Sequence, residues 1–280
     1  MSHNYISDEQ IDRLAGLSSL KQLDISHNHL KEDSAIKTLE KIERLQKLVC
    51  NTNDFSQLIL SDPSVHIEEI SFEENKLHTV IFKKPKPNLS FLNLRNNCLV
   101  EFRGLKNTPN LQTLIIENNR IKSLEDLVLT PKLKQLYASQ NLIETIALED
   151  SALEYLDLSN NKLSSLEFLT ACNNLKKLDV SRNLITSTVV FRNPLLNLEI
   201  LDLSNNRISE ISGFNLMPNL VDFNLSFNEI SSFPDTVREL ANLYKIERLD
   251  LRGNPFNQDF MVDQANDLAK EYRSYEGVQG

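Results

Sequence analysis

Apolar side chains recur along this chain in one frame, LxxLxLxxNxL, with apolar residues first, fourth, sixth and eleventh and asparagine ninth. LEYLDLSNNKL from Leu153 returns as LKKLDVSRNLI from Leu175, LEILDLSNNRI from Leu198 and LVDFNLSFNEI from Leu220. Earlier copies begin at Leu20, Leu45, Ile67, Leu89, Leu111 and Leu133, and the last, IERLDLRGNPF, begins at Ile246. The ninth-position asparagines are Asn28, Asn53, Asn75, Asn97, Asn119, Asn141, Asn161, Asn183, Asn206, Asn228 and Asn254, spaced by 25, 22, 22, 22, 22, 20, 22, 23, 22 and 26 residues. A self-similar period of this length predicts a solenoid, in which each unit buries its apolar face only against its neighbours.

Each copy predicts a short strand followed by a turn. Side chains alternate along a strand, so the fourth and sixth positions point inward and the odd positions outward. In the copy from Leu153 this places Leu156 and Leu158 in the core and Tyr155, Asp157 and Ser159 in solvent. The asparagine has one acceptor and two donor hydrogens, enough to pair backbone groups of adjacent coils that no sheet ladder reaches. Asn97, Asn119, Asn141, Asn161, Asn183, Asn206 and Asn228 are therefore structural residues. Apolar residues that follow, such as Ile121, Leu124 and Leu127, close the coil on the convex side.

The period breaks in three places. The 25-residue first interval carries Ile36, Leu39, Ile42 and Leu45 at helical spacing, and the 26-residue last interval does so through Val237, Leu240 and Leu243. Both predict a convex helix. The third copy instead runs into KKPKP at residues 83–87, which reads as a solvated loop, with docking or targeting as the alternative. At the start, Ser7 and Gln10 have capping-box spacing ahead of Ile11, Leu14 and Leu17, which are expected to cover the first coil. Residues 3–6 look like the back half of an earlier repeat. At the other end Phe260, Met261, Ala265, Leu268 and Tyr272 share one helical face and are expected to cap the last coil.

The frame is that of the leucine-rich repeat, and the tails NNRIKSLEDLVLTPKLKQL from Asn118 and NNKLSSLEFLTACNNLKKL from Asn160 resemble the SDS22-like subfamily. The resemblance covers about residues 20 to 256. It implies an α/β fold, a right-handed horseshoe solenoid of about eleven repeats, with a parallel concave sheet and short convex helices, 3-10 turns and loops. The expected domains are a capping segment over 1–19, the repeat domain over 20–256 and a capping helix and tail over 257–280. It also implies regulation of protein phosphatase 1, although the chain has no tryptophan.

Composition narrows the function. The net charge of −9 argues against a general nucleic-acid or anionic-membrane surface. No apolar run reaches the roughly 18 residues of a membrane span, and no signal peptide opens the chain. Cys50, Cys98 and Cys172 are odd in number and unpatterned, which offers neither a disulfide framework nor a zinc site and favours a reducing compartment. The six glycines match no phosphate-binding loop. The five histidines lie in the first third of the chain; His27 and His29 stand without a cysteine or carboxylate cluster. No cofactor, metal or catalytic group is expected. The sequons at Asn88 and Asn224 matter only in a secreted chain.

The outward positions are then the place to look for function. Phe91, Ile115, Tyr137 and Tyr155 fall on four consecutive strands and predict an apolar stripe about 15 Å long, the composition of a binding hot spot. Asp157, Asp179, Asp202 and Asp250 form a column that reads first as repeat consensus, neutralised by Lys177, Arg182, Arg207, Arg248 and Arg252. The alternative is a groove for a basic peptide. Glu68, Glu69, Glu73 and Glu74 make a denser acidic patch with fewer opposing bases. Candidate partner-binding residues are Phe91, Asn93, Arg95, Ile115, Glu117, Tyr137, Tyr155, Asp157, Lys177, Asp179, Ile200 and Asp202.

The expected function is a non-enzymatic scaffold that holds a protein in the concave groove, either a phosphatase catalytic subunit or a signalling protein. A spindle-pole or cytoskeletal scaffold, a ribonucleoprotein component that binds protein rather than RNA, and an internalin-like bacterial effector stay open. An intracellular setting is expected: the cytoplasm, with the nucleus and spindle pole as options.

Overall fold

The computed structural model describes residues 5–31, 33–62, 66–101, 104–188 and 193–256. Eleven three-residue strands, from Gln22–Asp24 to Arg248–Asp250, form one parallel sheet whose spatial order follows chain order. Pairing joins equivalent motif positions: Tyr155 lies opposite Gln135 on one side and Lys177 on the other, and Leu156 opposite Leu136 and Leu178. The repeat period therefore sets the register directly. Fourth-position residues Leu92, Leu114, Leu136, Leu178 and Phe223 are fully buried, as are sixth-position Leu94, Ile116, Ala138, Leu158 and Val180.

The asparagines bind coil to coil. Asn141 Nδ2 donates to the carbonyls of Ile116 in the preceding coil and of Ala138 and Ser139 in its own, while Oδ1 accepts from the Ile121 N–H. The same pattern recurs at Asn119, Asn161, Asn183, Asn206 and Asn228. Asn97 also follows it, from Phe72 O to Leu77 N. Among the described residues no buried side-chain nitrogen or oxygen lacks a partner.

One regularity is not visible in the apolar frame. The eighth residue of every copy is left-handed, from His27 (φ 59°) through Thr52, Glu74, Asn96, Asn118, Gln140, Asn160, Arg182, Asn205 and Phe227 to Gly253 (φ 72°). This conformation turns the chain inward ahead of the asparagine. Glycine and asparagine tolerate it, whereas a β-branched residue such as Thr52 is strained there. At Gly253 a Cβ would come within 2.5 Å of the Phe227 ring, so the last turn requires glycine on two counts.

The convex side is built mostly from 3-10 turns, with helices where the intervals lengthen: Asp33–Glu40 and Phe233–Leu240. Ile36, Leu39, Ile42 and Leu45 are buried as expected. In the second helix Val237 is 49% exposed; Thr236 takes the inward place and its hydroxyl donates to the Ser232 carbonyl. Two short parallel ladders add to this side, Gln57–Leu60 with Thr79–Phe82 and Ser123–Leu124 with Thr145–Ile146.

KKPKP departs from a solvated loop. Lys83 and Lys84 are exposed, but Lys86 is fully buried, its ammonium donating to the Asp62 carbonyl. Burial holds the Lys86 pKa below the ordinary lysine value, opposed by the charges of Glu40 and Asp62. Glu40 is pushed up by burial, against the Asp62 N–H that its carboxylate accepts at 2.9 Å.

At the start Ser7 donates its N–H to Gln10 Oε1, and Ile11 and Leu14 are buried. Leu17 is 45% exposed, because the helix tightens into a 3-10 turn over Asp12–Gly16 and loses the 3.6-residue phase. At the other end Leu249, the fourth-position residue of the last strand, is 41% exposed where no described coil follows it. The segment expected to cap it, with Phe260, Met261, Ala265, Leu268 and Tyr272, lies outside the described residues.

Candidate functional site

The third, fifth and seventh positions of eleven strands line the inner sheet face, and the structure sorts them by role. The seventh-position serines are drawn inward, with Ser181 alone among those described only half-buried. Ser26, Ser139, Ser159, Ser204 and Ser226 are all at most 8% exposed, because the left-handed eighth residue and the asparagine draw the chain inward there. Surface for a partner comes from the third and fifth positions and from seventh-position arginines such as Arg95.

Phe91, Ile115 and Tyr137 are half-buried and Tyr155 is exposed. Register resolves how they sit. Ile115 and Tyr137 are direct cross-strand partners at the fifth position, whereas Phe91 opposes Thr113 and Tyr155 opposes Gln135 at the third. The apolar run therefore zigzags between two columns. Its Tyr137 and Tyr155 end opens on a depression of about 270 Å³, lined also by Leu156, Asp157, Lys177 and Asp179. Ile200 is half-buried beyond Lys177, which it pairs in register.

The fifth-position column has a local structural task. Oδ1 of Asp24, Asp157, Asp179, Asp202 and Asp250 accepts the N–H two residues on, from Ser26, Ser159, Ser181, Ser204 and Arg252 at 2.8–3.0 Å. Asn93 and Asn224 do the same for Arg95 and Ser226. Asn93 is 9% exposed, with Nδ2 donating to Glu73, so its side chain is spent within the protein rather than offered to a partner.

The bases expected to neutralise the column do so only at its end. Arg252 pairs with Asp250 at 2.6 Å, whereas Arg248 pairs at 2.9 Å with Asp222, a third-position residue outside the column. Lys177, Arg182 and Arg207 make no ion pair with Asp157, Asp179 or Asp202. Burial raises the Asp179 pKa, opposed by hydrogen bonds from Ser181 and reinforced by the neighbouring Asp157 and Asp202 charges.

The glutamate patch is the reverse case. Lys47 pairs with Glu69 at 2.5 Å, Gln46 donates to Glu68, and Thr52 donates to Glu74. Arg95 lies 3.4 Å from Glu117 and 3.9 Å from Glu73, and Glu117 also accepts from the Ser139 hydroxyl. Glu69 and Glu73 thus face a base on an adjacent strand, whereas Glu68 and Glu74 are met by neutral donors.

Among the described residues no group of three His, Cys, Asp or Glu side chains is arranged to hold a metal ion. His29 lies 3.4 Å from Asp54 on the exposed edge. Cys50 is fully buried, which pushes its thiol pKa well up, and burial raises that of Cys172 to about 12. Neither is a ready nucleophile. No described helix is long and apolar enough to cross a membrane.

A parallel sheet built from identical short coils, closed by an asparagine ladder and presenting one long face, defines a repeat solenoid. Leucine-rich repeat family models match residues 16–37, 109–163, 151–193 and 196–236, and the chain belongs to the leucine-rich repeat proteins. No curated protein sequence matches it.

Solved structures extend the likeness in fold. A chain of the LRIM1/APL1C complex superposes with a TM-score of 0.74 at 21% identity, over 89% of this chain and 47% of that one. An internalin, InlF, from Listeria monocytogenes gives 0.72 at 20% identity, over 90% and 77%. The leucine-rich effector YopM from Yersinia pestis gives 0.60 at 25%, over 85% and 67%. This chain thus spans about half the length of the LRIM1/APL1C chain it resembles.

Proposed function

We propose that this chain is a non-enzymatic scaffold that docks a protein partner on its concave sheet. The observation that carries the reading is the run of Phe91, Ile115, Tyr137 and Tyr155, left accessible on four consecutive strands and ending in a depression between two tyrosines. Aromatic side chains with one face free offer large contact area at little cost in conformational entropy.

The partner class rests on the SDS22-like repeat tails, which make a phosphatase catalytic subunit the first candidate and a spindle-pole or cytoskeletal signalling protein the second. A ribonucleoprotein role has only the shared repeat behind it, and the likeness to an internalin at 20% identity bears on fold alone. An intracellular setting belongs to the same proposal and is supported by three free cysteines, two of them buried.

The test is affinity capture with mass spectrometry, comparing wild type with Phe91→Glu/Tyr137→Glu at matched thermal stability. Selective loss of a partner is expected, and its identity separates phosphatase from signalling scaffold. An unchanged set of captured proteins would sink the concave-face reading.

A further inference from the structure

We infer that the partner is anchored by a basic side chain, best satisfied by arginine, seated between Tyr137 and Tyr155 against the carboxylates of Asp157 and Asp179. This deepens the scaffold reading above and rests on it.

The case begins with charge that the fold does not require. In the fifth column the structural task is to accept one N–H, and Asn93 and Asn224 perform it with neutral amides. Asp157, Asp179 and Asp202 nevertheless place three carboxylates on successive strands in one register, about 4.8 Å apart. Like charges aligned this way repel. Burial of Asp179 makes its charge costlier still.

Several other strands of the same face match their charges, Lys47 with Glu69, Arg95 with Glu117, Arg248 with Asp222 and Arg252 with Asp250. Asp24 on the first strand has no ion pair among the described residues but stands alone beside Val49, whereas Asp157, Asp179 and Asp202 are three such carboxylates in succession. Hydrogen bonds to Asp157 and Asp179 fall on Oδ1, from the Ser159 N–H and hydroxyl and the Ser181 N–H. Oδ2 of Asp157 remains for an outside donor, while Asp179, held by Ser181, adds its charge beside it.

The aromatic groups stand at the same place. Tyr137 is the register partner of Asp157, and Tyr155 begins the strand that carries it. Both line the depression together with Asp157 and Asp179. A guanidinium can stack on a tyrosine face while forking onto a carboxylate, and a hydrated ammonium does so less well. Lys177, exposed and without an ion pair, lines the same depression. One ammonium against three carboxylates leaves an unbalanced negative site, and Lys177 is the competitor that an incoming cation has to displace.

The experiment selects from a random phage-displayed dodecapeptide library on the purified chain. Synthetic copies of the enriched peptides are then measured against wild type, Asp157→Asn/Asp179→Asn and Lys177→Met. The asparagine variants keep the turn, as Asn93 and Asn224 show. Enriched peptides are expected to carry arginine or lysine, to bind the double asparagine variant about tenfold more weakly or worse, and to bind Lys177→Met more tightly.

A selection that returns no binders, peptides without a basic residue, or affinities that survive both asparagine substitutions overturns the inference. Peptides that are lost on Phe91→Glu yet indifferent to the asparagine variant overturn it alone and leave concave-face docking in place.

Discussion

Single amides carry much of the connection between coils. Asn141 satisfies four backbone groups, two in its own coil and two in the one before. Asn141→Ala leaves them buried without partners and is expected to cost about 1–3 kcal/mol, read from the midpoint of a denaturant titration at unchanged slope. Asp179 is a case of opposite sign. Its folded pKa is raised, so the ionised form weakens the folded state near neutral pH, and the penalty fades as pH falls through the ordinary aspartate range. Asp179→Asn should therefore raise Tm at pH 7 and give no gain near pH 3, which paired melts across that range would check. At this scale parity was legible in the sequence: Leu156 and Leu158 are buried and Tyr155 faces out. Parity failed at Ser159, because a strand of three residues ends before the seventh position and the left-handed turn then sets the direction. Glycine or asparagine at position eight in five copies, Asn96, Asn118, Asn160, Asn205 and Gly253, was the available sign of that turn.

Helices replace 3-10 turns where a coil has residues to spare, and the intervals of 25 and 26 residues located both of them. What spacing could not reveal is the contact between the first helix and the loop two coils on. Glu40 ends that helix, and its carboxylate meets the Asp62 N–H and the charge of Lys86. A lysine within KKPKP looks solvated when read locally. Its burial depends on a carbonyl 24 residues earlier, the reach of one coil. Lys86→Met alone should destabilise by about 1–2 kcal/mol, because it strands the half-buried Glu40 carboxylate. Adding Glu40→Gln should recover part of that loss, and a double-mutant cycle in denaturant measures the coupling.

For the molecule as a whole, the period yielded the stacked coils and the resemblance it carries yielded the parallel sheet; the register follows the repeat because every coil solves the same packing problem. The concave surface was less legible. Outward residues do not repeat, and whether a charge is matched depends on its neighbour a full coil away. Arg95 and Glu117 find each other, while Lys177 leaves Asp179 unpaired.

Sheet order that follows chain order also has a mechanical meaning. Tension applied at the two ends loads the coil-to-coil contacts in series, and among the described residues no closing strand shares the load. Stretching one molecule between its termini is expected to give a staircase rather than a single rupture. Most steps should release one coil of 22 residues, about 75 Å of extended chain.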